Sequence, residues 1–331
     1  MRLYLLAGLL VLMSGMLFAQ QTKTLPRYKA ETLLTSFDYE YEGVARKVPI
    51  KVYFPKSKTA KKLPVIMMSH GLGGSREIGN YLGLHWAKNG FVVVAMQHKG
   101  SDIEIIKGKQ RREYVKTFKK AMSLENFLNR VDDVSESIDQ VSKWNADRSH
   151  ALYGKLDLQK IGMCGHSFGA VTTQAVSGQS FPVVGQKYTD KRIKAAFAMS
   201  PSSSRFRKKA DANEAKKAFG EVSIPWLLMT GTADKAFMTP HVDVVNRKKV
   251  YSGLPAGDKY QLVLNKANHM AFSDKTILGK NHKNPKHHQA IQAISTAFFK
   301  AYLSNDKKAK NWLQSDKVQM SLEGKDSWEK K

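Results

Sequence analysis

The stretch that decides the fold is Lys160–Ala170, which reads KIGMCGHSFGA. Its first half, Lys160–Cys164, is short and mostly apolar, which is typical of a buried parallel strand, and a helical pattern begins at Gly169. A strand that turns directly into a helix strains the residue at the turn, so that residue needs small neighbours, and Gly165 and Gly169 supply them. We therefore expect the Ser167 hydroxyl to project clear of a sheet, beside a helix N-terminus whose amides can stabilise an oxyanion.

The rest of the chain alternates strand-like and helix-like segments. An antiparallel hairpin is predicted for residues 36–54, around Gly43. The predicted strands after it are 63–69, 91–97, 160–164, 193–199, 225–231 and 260–264, and the predicted helices are 75–88, 123–144, 205–220 and 290–302. Ser75 is the expected N-cap of the first helix, and Asp132 and Asp133 are expected at the surface of the second. This order predicts an α/β fold with a mostly parallel sheet, helices on both faces, and a site at the carboxyl ends of the strands.

Three side chains just beyond predicted strands have the chemistry of a nucleophilic triad. A serine hydroxyl needs a general base to take its proton, and the base needs a carboxylate to fix its tautomer. The order along the chain that this fold uses is serine, then acid, then histidine. Ser167, Asp234 and His269 satisfy that order, and we predict them as catalytic residues. Asp243 and Asp258 are the alternative acids.

The chain has ten histidines, and most are predicted to have other roles. His166 precedes the nucleophile directly, so its side chain is expected to point elsewhere. His70 lies in a glycine-rich loop and is expected to be structural. His282, His287 and His288 fall in a basic segment without a carboxylate, which disfavours a metal site there. We predict neither a metal nor a cofactor.

An oxyanion hole requires two backbone amides near the nucleophile. The amide of Phe168 directly follows Ser167, and a second is expected from the glycine-rich loop, at Leu72. Four motifs can therefore be read together at the strand ends: His70–Gly74 (HGLGG), Gly165–Gly169 (GHSFG), Gly231–Asp234 (GTAD) and Asn268–Ser273 (NHMAFS).

Over about residues 45–315, these motifs resemble the α/β-hydrolase superfamily. Within it the chain resembles the bacterial serine esterases described as dienelactone-hydrolase-like or platelet-activating-factor-acetylhydrolase-like. The resemblance implies an α/β-hydrolase fold, and it assigns the oxyanion hole to Leu72 and Phe168.

Two features depart from these subgroups. Dienelactone hydrolases proper use a cysteine nucleophile, where this chain has Ser167. The acetylhydrolase takes its acid after an earlier strand, and the corresponding residues here, 199–202, read MSPS without a carboxylate. The acid is therefore expected to be Asp234.

The N-terminus has the pattern of a secretory signal: Arg2, an apolar run over 3–18, and a small residue, Ala19. We expect a signal peptide at 1–19, an extension at 20–35, an α/β-hydrolase domain at 36–315 and a polar tail at 316–331, with a periplasmic or secreted location. An uncleaved membrane anchor is the alternative. Cys164 is the only cysteine, so no internal disulfide forms, and it is expected to be buried.

The chain is strongly basic, with 54 Lys and Arg against 28 Asp and Glu, a net charge of +26. Such a charge favours an anionic surface, polymer or substrate, although a solvated surface would also explain it. No recognition motif indicates specific nucleic acid binding. Residues 101–120 interrupt the alternation and carry many of the basic residues, so they form either part of a substrate rim or a solvated basic face. The oligomeric state is left open.

The sequence thus predicts an exported serine ester hydrolase, carboxylesterase- or lipase-like, that forms an acyl-enzyme. Its substrates are expected to be short-chain acyl or phospholipid-type esters. Alternatives are a polyester hydrolase or a serine peptidase of the same fold, or a non-catalytic binding protein on a hydrolase scaffold.

Overall fold

The computed structural model describes residues 28–41, 43–56, 61–203, 212–235, 238, 242–274 and 284–331. These residues form one sheet of nine strands in the order β1-β2-β4-β3-β5-β6-β7-β8-β9. The strands are β1 (Lys29–Tyr41), β2 (Val44–Lys56), β3 (Leu63–Ser69), β4 (Val92–Met96), β5 (Leu156–His166), β6 (Ile193–Met199), β7 (Trp226–Ala233), β8 (Lys259–Asn268) and β9 (Ser327–Lys330). Strands β3 to β8 pair in parallel, whereas β1-β2, β2-β4 and β8-β9 pair antiparallel. The predicted α/β fold with an N-terminal hairpin is confirmed.

Helices cover both faces of the sheet. They are α1 (Asn80–Lys88), α2 (Tyr114–Ala121), α3 (Leu124–Ala146), α4 (Phe168–Val176), α5 (Ala212–Phe219), α6 (Val244–Gly253), α7 (Pro285–Leu303), α8 (Lys307–Leu313) and α9 (Lys317–Ser321). Along β6, Ala195 and Phe197 pack with α1 and α7, while Ala196 and Ala198 pack with α5 and α6. Successive residues of one strand thus face two separate cores, which is why the inner strands are apolar throughout. None of the helices in the described part of the chain combines the length and the apolar character needed to cross a membrane.

The sheet extends past the expected domain limits of 36–315. β1 begins at Lys29, and the polar tail supplies β9, where Trp328 pairs with Leu262 and stacks on the Tyr260 ring at 5.4 Å. Edge strands bury one face only, so their composition is more polar than that of the inner strands. The predicted signal at 1–19 lies outside the described residues.

The start of α1 differs from the prediction. The helix begins at Asn80, and Ser75 accepts a bond from the Glu77 amide within a turn before it. The carboxylate of Asp274 instead accepts the amides of Gly79 and Tyr81, at 2.9 and 3.1 Å. The expectation that Ser75 is the N-cap is wrong because the cap comes from a distant part of the chain. The first residues of the predicted helix 205–220 lie outside the described residues, and 212–219 are helical.

Residues 101–121 form two short 3₁₀ turns, Ile103–Ile106 and Arg111–Glu113, followed by α2. The segment is attached to the glycine-rich loop, because the Gly73 amide donates to the Ser101 carbonyl at 2.8 Å and the Ile103 amide donates to the Gly74 carbonyl at 2.7 Å. The insertion therefore starts at the same sheet edge as that loop.

Candidate active site

The turn at Ser167 has the strained geometry that the sequence predicts. Ser167 joins β5 to α4 with φ 58° and ψ −113°, a conformation that side chains rarely adopt. A Cβ added at Gly165 would lie 2.3 Å from the Gly169 carbonyl oxygen, and one at Gly169 would lie 2.0 Å from the Ser69 carbonyl oxygen. Both positions therefore require glycine, since the strand, the helix and β3 meet here without room for a side chain.

The structure brings Ser167, His269 and Asp234 into one hydrogen-bonded chain. The Oγ atom of Ser167 lies 2.9 Å from Nε2 of His269, and Nδ1 of His269 lies 2.7 Å from Oδ1 of Asp234. The carboxylate can only accept, so Nδ1 carries the proton and Nε2 is left to accept from the serine hydroxyl. The His269 side chain is 15% exposed and that of Asp234 is buried. The geometry suits proton transfer from the hydroxyl to the imidazole, and the catalytic roles remain predictions.

The Asp234 carboxylate is held by more than the histidine. Its Oδ2 atom accepts the hydroxyls of Ser200, at 2.6 Å, and Thr230, at 2.9 Å. The buried guanidinium of Arg247 lies 3.1 Å from Oδ1. Burial alone would raise the pKa of Asp234, but His269, Arg247 and the Ser200 hydroxyl together hold that pKa well below its usual range. The carboxylate is therefore ionised and available to orient the imidazole.

Sequence reasoning missed Ser200, Thr230 and Arg247. Ser200 stands directly after β6, in the MSPS segment, and its position at a strand end was the available signal. Arg247 also donates to the carbonyls of Ser200, at 2.8 Å, and Pro201, at 3.0 Å. This arginine thus ties the end of β6 to the acid.

The alternative acids lie elsewhere. Asp243 caps α6 by accepting the Asn246 amide at 3.0 Å. Asp258 precedes β8, at the opposite end of that strand from His269, and bonds Tyr302 and Lys310. The structure therefore brings only Asp234 of the three to the imidazole.

Several other histidines in the described part of the chain make structural contacts. The His166 ring does not leave the site as expected: its Nε2 atom donates to the main-chain carbonyl of His269 at 2.9 Å, so the ring supports the loop of the proposed base. Burial and the nearby His269 lower the pKa of His166 to about 3. His287 and His288 bond the carbonyls of Asn265 and Ala271. His282 lies outside the described residues, among which no group of three His, Cys, Asp or Glu side chains could hold a metal.

The glycine-rich loop lies against the nucleophile. A Cβ at Gly71 would be 3.4 Å from Cβ of Ser167, so the loop backbone approaches the serine closely. Leu72 follows Gly71 directly, and Phe168 follows Ser167 directly. The two residues predicted to supply the oxyanion amides therefore flank the serine from two elements, and their role stays a prediction.

A second set of polar side chains lies buried behind this loop. Ser69 Oγ lies 2.9 Å from Nε2 of His98, and Nδ1 of His98 lies 2.8 Å from Oδ2 of Asp133. Asp133 is fully buried, so its expected surface position is wrong. The physical reason is charge pairing: Arg46 reaches the carboxylate with two nitrogens, at 2.6 and 2.8 Å, and compensates its burial. Asp132 is half-buried.

Comparison with known proteins finds a family match that includes the glycine-rich loop. A profile of the family described as "Platelet-activating factor acetylhydrolase, isoform II" matches residues 39–107, which include the glycine-rich loop. The platelet-activating factor acetylhydrolase of Cavia porcellus is 26% identical over 180 residues, 47% of this chain and 38% of that protein. The Bos taurus protein of the same name is 27% identical over 143 residues, and that of Canis lupus familiaris is 29% identical over 151.

The matched region spans about a third of the length of these relatives, 32% to 38%. It is nevertheless the resemblance that the motifs predict. The chain is therefore similar to the platelet-activating factor acetylhydrolases, serine esterases of the α/β-hydrolase superfamily.

Proposed function

We propose that this protein is a serine ester hydrolase that acts on phospholipid-type or short-chain acyl esters. The observation that carries the proposal is the hydrogen-bonded chain from Asp234 through His269 to the strained Ser167, at the carboxyl edge of the sheet. Similarity to platelet-activating factor acetylhydrolases supports a lipid ester as the substrate class.

The reaction proceeds in two halves. The Ser167 oxygen attacks the ester carbonyl while its proton passes to Nε2 of His269, and the resulting oxyanion accepts hydrogen bonds from the Leu72 and Phe168 amides. Collapse of this intermediate breaks the bond to the alcohol, which leaves with the proton from His269. Water then attacks the acyl-enzyme by the same route, and the acid is released with Ser167 restored. Asp234 stays ionised and stabilises the imidazolium.

The charge of the chain supports an anionic lipid interface as the setting of this reaction. Seven basic residues of the insertion are all exposed: Lys107, Lys109, Arg111, Arg112, Lys116, Lys119 and Lys120. The insertion is bonded to the glycine-rich loop at Ser101 and Ile103, so the segment that carries these charges begins at the edge that carries Ser167. Attraction to anionic lipid would raise the local substrate concentration. Export by the predicted signal at 1–19 would bring the enzyme to such lipids.

Hydrolysis of a series of p-nitrophenyl esters of increasing acyl length, and of a 2-acetyl phospholipid in anionic or zwitterionic vesicles, tests the proposal. We expect rapid hydrolysis of short acyl chains, its loss in Ser167→Ala, and a preference for anionic vesicles that weakens at high salt. Equal rates for the wild type and Ser167→Ala would contradict the assignment. Fluorophosphonate labelling separates an enzyme from a non-catalytic scaffold, which would not react at Ser167.

A further inference from the structure

A buried arginine lies where the two elements of the proposed oxyanion hole meet. Arg130 of α3 has no exposed surface. Its Nε donates to the Thr172 hydroxyl at 3.0 Å, its Nη1 to the Ser101 hydroxyl at 2.9 Å, and its Nη2 to the Ser69 hydroxyl at 3.0 Å. Nη2 also donates to the carbonyl of His70, and the guanidinium lies 4.4 Å from the centre of the Phe168 ring.

These contacts reach both predicted oxyanion donors. The His70 carbonyl is two residues before Leu72, on the glycine-rich loop. On the other side, Thr172 accepts from Arg130 and donates its own proton to the Phe168 carbonyl at 3.1 Å, while the Phe168 ring stacks on the guanidinium. One rigid, planar group therefore fixes the loop and the first turn of α4 relative to each other.

The second serine–histidine–aspartate chain orients this arginine. Burial and the charge of Arg130 lower the pKa of His98 to about 4, so the ring is neutral, donates from Nδ1 to Asp133 and accepts at Nε2 from Ser69. The Ser69 hydroxyl donates its proton to Nε2 of His98, so its oxygen accepts the hydrogen bond from Arg130. The order of donors and acceptors from Asp133 to Arg130 is thereby set.

The same network continues into the loop itself. The His98 amide donates to Nε2 of His70 at 3.0 Å, and Nδ1 of His70 donates to the Gly71 carbonyl at 2.6 Å. His70 is buried, and its pKa lies well below the ordinary value because of that burial and the nearby Arg130. The network therefore reaches the backbone of the glycine-rich loop at His70 and Gly71, and it reaches α4 at Thr172.

We propose that Arg130 is a positioning residue that sets the spacing of the two oxyanion amides, with Ser69, His98 and Asp133 holding its guanidinium in place. The inference rests on the proposed serine hydrolase function and names a determinant of its rate. A purely structural role would lower the free energy of unfolding in Arg130 variants, because the hydroxyls of Ser69, Ser101 and Thr172 would lose their donor. Preorganised amides, in contrast, matter chiefly in the transition state.

Steady-state hydrolysis of a short p-nitrophenyl ester by Arg130→Lys and Arg130→Met tests the inference, with Arg192→Lys as the matched control. Arg192 lies next to β6, is ion-paired with Asp190 and has no contact with the loop among the described bonds. We expect kcat to fall about tenfold in Arg130→Lys and about 10²-fold in Arg130→Met with KM nearly unchanged, because a displaced donor weakens transition-state binding alone. Arg192→Lys should match the wild type.

Binding of a trifluoromethyl ketone, whose adduct with serine carries an oxyanion, separates positioning from a structural role. Its affinity should fall in parallel with kcat/KM in the Arg130 variants. The pH midpoint of kcat/KM should stay that of the wild type, since His269 and Asp234 are untouched. If Arg130→Met does not fold, Arg130→Lys decides the question.

Wild-type kcat and ketone affinity in folded Arg130→Lys would overturn the inference, as would an equal loss of substrate and ketone binding. Failure of the proposed function itself has a different signature, because the wild type and Arg192→Lys would then neither hydrolyse the ester nor bind the ketone covalently.

Discussion

Two hydrogen-bonded serine–histidine–aspartate chains of side chains, with nearly the same geometry, lie in this molecule. At the sheet edge, the bonds from Ser167 to His269 and from His269 to Asp234 measure 2.9 and 2.7 Å. Behind the glycine-rich loop, the corresponding bonds of Ser69, His98 and Asp133 measure 2.9 and 2.8 Å. Hydrogen-bond geometry alone therefore cannot tell the predicted catalytic set from the buried one.

The two chains differ in access and in backbone. The His269 side chain is partly exposed, whereas His98 and Asp133 are fully buried. Ser167 sits in a strained turn that projects its hydroxyl, but Ser69 is the last residue of a regular strand and its oxygen is occupied by Arg130. On the proposed assignment, the contrast teaches that a serine and its base also need an open approach and unshared lone pairs on the serine oxygen.

Replacing each serine in turn is the most direct test of whether Ser167 and Ser69 differ in function. Ser167→Ala should lower ester hydrolysis by about 10⁴- to 10⁶-fold and abolish fluorophosphonate labelling, because it removes the nucleophile. Ser69→Ala should keep the label and lose about tenfold in kcat at most, through Arg130. Mass spectrometry of the labelled protein locates the modified residue. Modification at Ser69 would mean that the two chains are not distinct in function.

The two aspartates should differ most in their effect on activity. Asp234→Asn should lower kcat by about 10⁴-fold, since the amide favours the wrong imidazole tautomer. It should also lower the free energy of unfolding, because the buried Arg247 loses its counter-charge. Asp133→Asn leaves the partly buried Arg46 without its counter-charge and weakens the bond to the buried His98, so the free energy of unfolding should fall by about 3 kcal/mol while much of the activity remains. Urea unfolding and ester hydrolysis measure the two effects. The comparison fails if both variants lose activity equally.

The inner fold was predictable because the buried strands are continuous apolar runs and the elbow requires its two glycines. The structure also places Ser167, Asp234 and His269 in contact, which the sequence predicts from chain order and strand ends. Local patterns predicted α1 but placed its start at Ser75 instead of Asn80, because the amides at the start of the helix are capped by Asp274, about 195 residues away. Long-range capping cannot be read from neighbouring residues.

The positioning network was missed for a related reason. Arg130 lies on the buried stripe of α3 that includes Phe127 and Val134, at helical spacing. Charged residues on such a stripe are usually assigned to the surface, because burying a charge costs more than a sequence pattern can justify. The partners that make the burial of Arg130 acceptable, among them Ser69 on β3 and Thr172 on α4, come from distant parts of the sequence. The helical spacing of Arg130 with Phe127 and Val134 was the available signal that this arginine is buried.

Acid should destabilise the protein through its buried neutral histidines. The pKa of His98 is about 4 when folded, against an ordinary value of 6.5, so between these values the unfolded chain binds the extra proton. The free energy of unfolding therefore rises with pH in this range. As the pH falls from 6.5 towards 4, up to about 3 kcal/mol of that free energy is lost through this histidine. Urea unfolding against pH should show a shallower slope in His98→Gln than in the wild type. Parallel slopes would show that His98 is protonated alike in both states.

The smallest effects should come from the hydroxyls that support each aspartate. Ser200→Ala removes the 2.6 Å bond to Asp234, but Thr230, Arg247 and His269 remain, so kcat should fall by about tenfold or less. Tyr39→Phe removes the 2.9 Å bond to Asp133, and we expect a loss of about 1 kcal/mol in stability with kcat unchanged. Hydrolysis rates and urea midpoints measured on both variants compare the hydroxyl that supports Asp234 with the one that supports Asp133. A kcat loss in Tyr39→Phe as large as that in Ser200→Ala would show that the buried chain acts on the reaction more directly than through the position of Arg130.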